Sequence, residues 1–218
     1  MFQSILRIKS NGYEPNRVLD IGACVGNWTQ NCLKIFPNAK YDLFEANPYD
    51  HLVSRYESNK NLNVHNVVLD EVVREVDWYQ VKGTGDSMFK EKTRHYSNCT
   101  PIKKQTQTLS SIIQTNSNDR FLIKIDCQGG EIPILKGCSK TFLEQTDFII
   151  LEVPFFGQWN ENVPTFLEHI QYMDSIGFIV YDIADTHYVN NFNFQIDVVF
   201  IHKNHKFNKV IEDKILNC

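Results

Sequence analysis

Apolar residues along this chain fall into two patterns that alternate with each other. Short runs rich in Val, Leu and Ile predict strands, and segments with apolar residues three or four positions apart predict helices. Strands that alternate with helices indicate an α/β fold, with a mainly parallel sheet and helices on both faces. The predicted strands cover 17–23, 40–46, 62–69, 72–81, 121–126, 148–153, 178–183 and 194–202, the last two as an antiparallel hairpin. The predicted helices cover 27–36, 48–59, 131–145 and 164–176, and 106–114 holds a short strand and helix.

No linker, internal repeat or low-complexity tract interrupts this pattern. We therefore expect a single domain over 1–218, with a core over about 15–203. The formal net charge of −4 offers no broad basic surface to nucleic acid, and the Lys103–Lys104 pair is expected at a solvated strand edge. No apolar run reaches the roughly 18 residues of a membrane span, and the first residues lack the apolar core of a signal peptide. The cysteines show no C-x-x-C spacing, which favours reduced thiols in a cytoplasmic protein.

A glycine turn between the first strand and the first helix predicts a ligand site. In a dinucleotide fingerprint that began at Gly22, the second and third glycines would fall on Cys24 and Asn27. The glycines that cradle a diphosphate are thus absent, and Asp20, Gly22 and Gly26 remain, with Ala23 and Asn27 in the same turn. We expect the two glycines to let the backbone approach a ligand that has no pyrophosphate. Asp20 has a purely structural alternative as a cap of the turn.

Acidic residues at later strand ends extend this prediction. Glu45, followed by Ala46, ends the second strand, where a carboxylate usually binds a ribose diol. Together with the turn it indicates an adenosyl ligand without phosphates, and S-adenosylmethionine is the common one. Asp70 is expected either near the adenine or in a solvated loop. Ser87, with Met88 and Phe89, is expected either to contact the adenine or to pack only within its own loop.

The segment Leu122–Ile132 has charged residues at and after the end of an apolar strand. Lys124 and Asp126 are two residues apart, so both project from the same strand face. Two interpretations of Lys124 stay open: a structural ion pair with a carboxylate, or an orienting role beside a catalytic Asp126. Glu131 opens the next helix, where an acid also complements the helix dipole.

These segments resemble the FkbM-type S-adenosylmethionine-dependent methyltransferases over roughly 17–202. The resemblance is carried by Val18–Asn27, Phe44–Pro48, Thr108–Leu109, Lys124–Glu131, Ile150–Val153 and Asp197–Ile201. It implies a Rossmann-like class I methyltransferase fold, with a seven-stranded sheet whose last strand is antiparallel. It also implies methyl transfer to a hydroxyl oxygen of a sugar or natural product, in pathways that include glycosyltransferases. Many relatives carry glutamate where this chain has Gln128, so a role for that carboxylate does not transfer.

Transfer to a sugar hydroxyl requires a base, or a cation that lowers the pKa of the hydroxyl. Asp126 is the first candidate for the base or for the group that orients the hydroxyl, and Glu152 on the next strand is the second. If a divalent cation binds, Asp126 and Glu152 are its expected ligands. His187, predicted in a mobile loop, is a further candidate base. The alternative is that it is only a solvated histidine of that loop.

The aromatic segment Phe155–Asn160 is the expected acceptor site, because sugars stack their C–H faces on aromatic rings. Trp159 would stack while Gln158 and Asn160 bind hydroxyls, and Tyr188 and Asn190 would line the opposite side. The alternative is that Phe155 and Phe156 fill the core and that Trp159 alone is exposed.

Three functions remain possible from the sequence. The first is O-methylation of a sugar or glycan, for example a deoxyhexose such as rhamnose. The second is methylation of RNA or a small nucleotide, which the acidic net charge disfavours. The third is a non-catalytic docking domain that keeps the methyltransferase fold.

Overall fold

The computed structural model of the chain describes residues 1–47, 50–81, 84–156 and 159–217. Pro48, predicted in the first turn of the second helix, and Gln158, predicted to bind acceptor hydroxyls, lie outside the described residues. The strands of the described part are β1 (Arg17–Ile21), β2 (Lys40–Glu45), β3 (Leu62–Asn66), β4 (Val68–Leu69), β5 (Glu75–Trp78), β6 (Ile102–Gln107), β7 (Phe121–Ile125), β8 (Thr146–Pro154), β9 (Phe178–Val189) and β10 (Phe192–His202). The α-helices are α1 (Phe2–Ser10), α2 (Asn27–Ile35), α3 (Asp50–Tyr56), α4 (Leu109–Ile112), α5 (Glu131–Lys136), α6 (Lys140–Glu144), α7 (Phe166–Ser175) and α8 (Phe207–Leu216), with a 3-10 turn at Arg94–Tyr96.

In the described part of the chain, seven strands form one sheet in the order β3-β2-β1-β7-β8-β10-β9. Neighbours from β3 to β8 are parallel, whereas β10 runs antiparallel to both β8 and β9. The predicted α/β class, the mainly parallel seven-stranded sheet and its antiparallel last strand are therefore confirmed. Among the described helices, none is both long and apolar enough to pass through a lipid bilayer.

Successive residues of the central strands point to opposite faces, so each strand contributes to two apolar layers. Val18 and Leu122 pack with α1, α2 and α3, and their neighbours Leu19 and Ile123 pack with α4 to α7. Every residue of β7 is buried, as expected for a central strand covered on both faces. The prediction of helices on both faces is thus confirmed.

The structure departs from the predicted elements in four places. The predicted helix 131–145 is two helices, because α5 ends before Gly137 and Ser139 caps α6 by accepting a hydrogen bond from Phe142 N at 3.2 Å. The predicted strand 62–69 divides, and β4 pairs with β6 in a small three-stranded sheet that also holds β5, the core of predicted strand 72–81. The helices α1 and α8 were not predicted, although Ile5 and Ile8 of α1 are buried in the core. The final hairpin is longer than predicted, because β9 continues to Val189.

Candidate functional site

The glycine turn after β1 is shaped by the close approach of neighbouring strands. Gly22 N donates to Phe44 O of β2 at 2.9 Å, and Gly22 has φ +77°. A Cβ atom at this position would lie 2.0 Å from the backbone O of Asp126, which follows β7. Gly26, at φ +78°, would place a Cβ atom 2.7 Å from the Tyr56 ring of α3. Both glycines are therefore required by packing inside the protein, in addition to any approach of a ligand.

Glu45, at the end of β2, is anchored to the glycine turn. Its carboxylate accepts hydrogen bonds from Cys24 N at 2.7 Å and from Asn47 N at 2.9 Å, one on each oxygen. Burial raises the pKa of Glu45, and the nearby Asp86 raises it further, while the two backbone amides oppose the shift. A carboxylate has about four lone-pair sites, so each oxygen can still accept a hydrogen bond from a ligand.

A cavity of about 470 Å³ opens at the carboxyl ends of β1, β2 and β7. Its volume lies in the range of small-molecule binding sites. One side is polar and includes Gly22, Glu45, Ala46 and Asp126, as predicted. The other side is apolar, and its Trp78 indole Nε1 is buried without a hydrogen-bond partner among the described residues. Met88, for which an adenine contact was one of two expectations, also lines the cavity. The lining residues not foreseen from the sequence include Asn47, Val67, Val68, Leu69, Trp78, Thr84, Gly85, Asp86, Glu91, Gln128 and Ile134.

A buried group of charges centred on Lys124 lies behind the cavity wall, and Asp126 is its member that lines the cavity. Its Nζ lies 3.1 Å from Asp126 Oδ2 and 3.8 Å from Asp20 Oδ1, and Asp20 also accepts a hydrogen bond from Thr29 Oγ1 at 2.6 Å. Burial would lower the pKa of Lys124, but Asp126 and Asp20 together raise it, so the ammonium stays charged. Burial likewise raises the pKa of Asp126, yet Lys124 outweighs it and holds that pKa below its usual value. Lys124 is thus an ion-pair partner and also fixes the charge of Asp126.

Gln128 is the residue that joins the two acidic strand ends, and the sequence pattern alone did not reveal it. Its amide Nε2 donates to Glu152 Oε2 at 2.8 Å and lies 3.4 Å from Asp126 Oδ1. Its backbone has φ 51°, a left-handed conformation that is uncommon outside glycine. The Gly129–Gly130 pair after it is the sequence signal for such a tight turn, but it does not show where the amide points.

Glu131 holds this turn from the first position of α5. Its Oε1 accepts hydrogen bonds from Cys127 N at 2.9 Å and from Gly129 N at 3.3 Å. The residue is 1% exposed, and burial raises its pKa to about 7. Glu131 therefore braces the loop that carries Gln128.

Glu152 and its neighbours form an acidic group beside the cavity. Burial raises the pKa of Glu152 well above its usual value, and the adjacent Asp126 raises it further. Asp197 of β10 lies opposite Glu152 in the strand register, and His187 Nε2 lies 3.1 Å from Asp197 Oδ2. The prediction that His187 belongs to a mobile loop is wrong, because β9 runs to Val189 and the hydrogen bond fixes the imidazole.

Six of the predicted cofactor residues do not line the cavity. Asp70 is fully buried and accepts hydrogen bonds from Glu71 N at 2.8 Å and from Arg74 Nε at 2.6 Å, so its carboxylate is already paired with protein groups. Ser87 is 1% exposed and ties its loop to the Gln128 carbonyl at 3.0 Å. Of the other four, Asp20, Ala23 and Gly26 are buried behind the cavity wall. Asn27 is exposed on the surface.

The segment expected to bind the acceptor follows β8, and its Trp159 and Asn160 line a small cavity together with Glu152. Phe155 and Phe156 are 51% and 64% exposed, which excludes the alternative that they fill the core. Trp159 is partly buried against Phe194, with ring centroids 5.5 Å apart. Asn160 is buried, and its amide Nδ2 donates to Phe89 O at 2.9 Å, so it holds the loop that closes the cavity.

Two further predictions about this region have a structural outcome. Tyr188, predicted to line the acceptor site, is 61% exposed on β9, so its phenol is accessible. The second prediction concerns the lysine pair Lys103–Lys104. The expectation of a solvated side chain is wrong for Lys104. Its Nζ donates to Ala46 O at 2.5 Å and lies 5.0 Å from the centroid of the Trp78 ring. It therefore supports the cavity wall from behind. Lys103 is exposed and pairs with Asp77 at 2.8 Å, as a solvated strand edge would.

Comparisons with known proteins concern the family and the fold. The sequence profile of the "Methyltransferase FkbM domain" matches residues 20–180. The fold is similar to a methyltransferase FkbM from Methylobacillus flagellatus, with TM-score 0.56 and 14% identity over 84% of this chain and 43% of that one. The chain therefore spans less than half the length of that protein. No curated protein matches the sequence.

Two structures with bound ligands share the fold at lower identity. One is a Burkholderia thailandensis 1,6-didemethyltoxoflavin-N1-methyltransferase with bound S-adenosylhomocysteine, at TM-score 0.54 and 10% identity over 93% of this chain and 77% of that one. The other is the magnesium protoporphyrin IX methyltransferase of Synechocystis with bound S-adenosylmethionine, at TM-score 0.51 and 8% identity over 92% and 77%. These likenesses concern the fold.

Proposed function

Because the chain belongs to the FkbM methyltransferase family, we propose that it is an S-adenosylmethionine-dependent O-methyltransferase that acts on a sugar or glycan hydroxyl. The observation that carries the proposal is that Glu45 and Asp126 both line one open cavity at the carboxyl ends of the strands. A deoxyhexose such as rhamnose is the proposed acceptor. A cytoplasmic location and a pathway shared with glycosyltransferases are part of the same proposal.

The residues of the cavity suit the cofactor. Glu45 offers carboxylate oxygens for a ribose diol, while Phe44, Leu69 and Trp78 offer an apolar wall to an adenine. The unpartnered Trp78 indole N–H is an orphan donor in that wall, and a ligand acceptor atom would satisfy it. The open cavity also supports a catalytic role over the non-catalytic docking alternative.

S-adenosylmethionine, when bound, supplies a sulfonium methyl group that is transferred to the acceptor oxygen. The protein must then place the acceptor hydroxyl and receive its proton. Asp126 is the proposed catalytic carboxylate, since Lys124 keeps it ionised at the edge of the cavity. Lys124 and Gln128 act through Asp126 and are positioning residues, and Glu152 is the second carboxylate on the acceptor side.

The acceptor side combines exposed rings with these carboxylates. Phe156 and Phe192 stack with ring centroids 5.9 Å apart, and both rings are 64% exposed. Such a platform supports a sugar acceptor, because flat aromatic faces bind the apolar C–H faces of a pyranose. Phe155, Trp159 and Tyr188 are further proposed acceptor contacts.

The test has two readouts, cofactor binding and methyl transfer. We expect S-adenosylhomocysteine to bind the wild-type protein in calorimetry, and rhamnosides to accept a labelled methyl group. Asp126→Asn should reduce kcat by about 100-fold or more, the usual scale of a lost acid–base group. Asp77→Asn is the control, because this exposed carboxylate pairs with Lys103 outside the cavity. Absence of cofactor binding at millimolar concentration, or full activity in Asp126→Asn, would refute the proposal.

A further inference from the structure

Three adjacent strands each contribute one potential metal ligand, and one of the three, Glu152, also lines the cavity. Glu152 of β8 lies directly opposite Asp197 of β10, and His187 of β9 contacts Asp197 with its Nε2 atom. One donor atom from each side chain lies within 4.8 Å of the others. Two carboxylates and an imidazole at this spacing can share one ion.

The charges around these residues require compensation. Asp197 is 2% exposed, and in the described part of the chain neither it nor Glu152 forms an ion pair with Lys or Arg. The nearby Lys124 is already paired with Asp126 and Asp20. Buried carboxylates are costly unless a cation or strong hydrogen bonds balance them. The neutral amide of Gln128 on Glu152 and one imidazole on Asp197 supply no fixed cation, so without a metal a proton must balance this charge, and a bound divalent cation would replace that proton.

The alternative ligand pair, Asp126 and Glu152, is less suited to a cation. The Gln128 amide Nε2 lies between their carboxylates, at 3.4 Å and 2.8 Å. This group is a hydrogen-bond donor and cannot ligate a metal, so an ion between these carboxylates would have to displace it. The geometry therefore favours a metal site on the side of Glu152 that faces Asp197 and His187.

We propose that Glu152, Asp197 and His187 bind one divalent cation of the Mn²⁺ type beside the cavity. Carboxylates suit hard cations, and an imidazole in the set favours Mn²⁺ over Ca²⁺ or Mg²⁺. Three protein ligands leave coordination positions free, and Glu152 places the ion next to the cavity. An acceptor hydroxyl at a free position would lose its proton more readily. That consequence rests on the proposed function, whereas the binding of the ion does not.

The experiment measures Mn²⁺ binding to the full chain after treatment with EDTA. Calorimetry and the electron paramagnetic resonance signal of free Mn²⁺ should report one ion per chain. His187→Ala and Asp197→Asn should each weaken binding at least ~10-fold, since even outer-shell changes cost metal sites that much. His65→Ala is the matched control, because His65 pairs with Asp42 at 2.9 Å on a distant strand and should leave binding unchanged.

The outcomes separate this inference from the proposed function. No Mn²⁺ binding at millimolar concentration, or equal binding by wild type and both site variants, would overturn the metal site. Binding of S-adenosylhomocysteine by the same samples is measured in parallel and tests the proposed function alone. If Asp197→Asn does not fold, His187→Gln provides a second variant, because its amide can still donate to Asp197. Mn²⁺ should raise the melting temperature of the wild type and not that of His187→Gln.

Discussion

Glu131→Gln is expected to change how the stability of this protein depends on pH. The Glu131 carboxyl is buried, and its pKa is raised from 4.5 to about 7. The folded protein therefore keeps this proton up to a higher pH than the unfolded chain does. Between pH 4.5 and 7 the folded state binds more protons, so its free energy of unfolding falls as the pH rises.

The magnitude follows from the two pKa values. Their difference of about 2.5 units (7 minus 4.5) corresponds to about 3 kcal/mol at about 1.4 kcal/mol per unit. A glutamine side chain does not ionise, so the Glu131→Gln variant lacks this loss. The amide oxygen can still accept from Cys127 N and Gly129 N, because both hydrogen bonds end on the same oxygen, Oε1. The turn should therefore stay intact in the variant.

Urea unfolding followed by tryptophan fluorescence, from about pH 4.5 to 7.5, measures this effect. We expect the stability of the wild type relative to Glu131→Gln to fall by about 3 kcal/mol across the window. Asp126 and Glu152 also titrate in both proteins, and the Glu131 charge contributes to the raised pKa of Glu152, so the difference reports Glu131 together with its effect on Glu152. Glu144→Gln, at an exposed carboxylate of α6, is the control and should parallel the wild type. Parallel profiles for wild type and Glu131→Gln would refute the reasoning.

Two further substitutions test the glycine turn and the cofactor carboxylate. Gly22→Ala should cost roughly 2–4 kcal/mol in chemical denaturation, from the left-handed backbone and the 2.0 Å approach to Asp126 O. Gly12→Ala, at φ +88° with no atom within 4 Å, should cost only about 1 kcal/mol; equal losses would contradict the clash. Glu45→Gln should weaken S-adenosylhomocysteine binding about 10-fold in calorimetry, as loss of a charged hydrogen bond implies. The exposed Glu57→Gln is its control, and unchanged affinity in Glu45→Gln would exclude a ribose contact.

The central sheet could be predicted because its physical signal is local. A parallel strand buried on both faces needs a continuous apolar run, and β7 shows one. The division of helix 131–145 could not be predicted in the same way. Gly137 ends α5 where a Cβ atom would lie 2.6 Å from Asp70 O, a contact between segments far apart in sequence. Tertiary packing, and not helix propensity, determines that break.

The same distinction holds for the candidate site. Lys124 and Asp126 share a strand face by their spacing, so their proximity was predictable. Asp70 was considered a possible neighbour of the adenine because ligands bind at the carboxyl ends of strands in a parallel sheet. The strand before it, β4, however, leaves the main sheet and pairs with β6. The rule applies to strands of one sheet, and the carboxylate of Asp70 is instead paired with Arg74.

The pairing of His187 with Asp197 depends on a β-bulge that no periodicity reveals. Asn190 and Asn191 both have positive φ, as a two-residue hairpin turn requires, so Val189 pairs with Phe192 and Tyr188 with Asn193. An unbroken register would then pair His187 with Phe194 and put Asp197 on the opposite face of the sheet. Instead Phe194 is bulged out of the β9 register, and His187 pairs with Gln195. The Phe194 carbonyl accepts hydrogen bonds from Phe155 N at 2.8 Å and Phe156 N at 3.3 Å, which stabilises the bulge. One extra residue in β10 thus brings the imidazole to the same face as Asp197 and makes the proposed metal site possible.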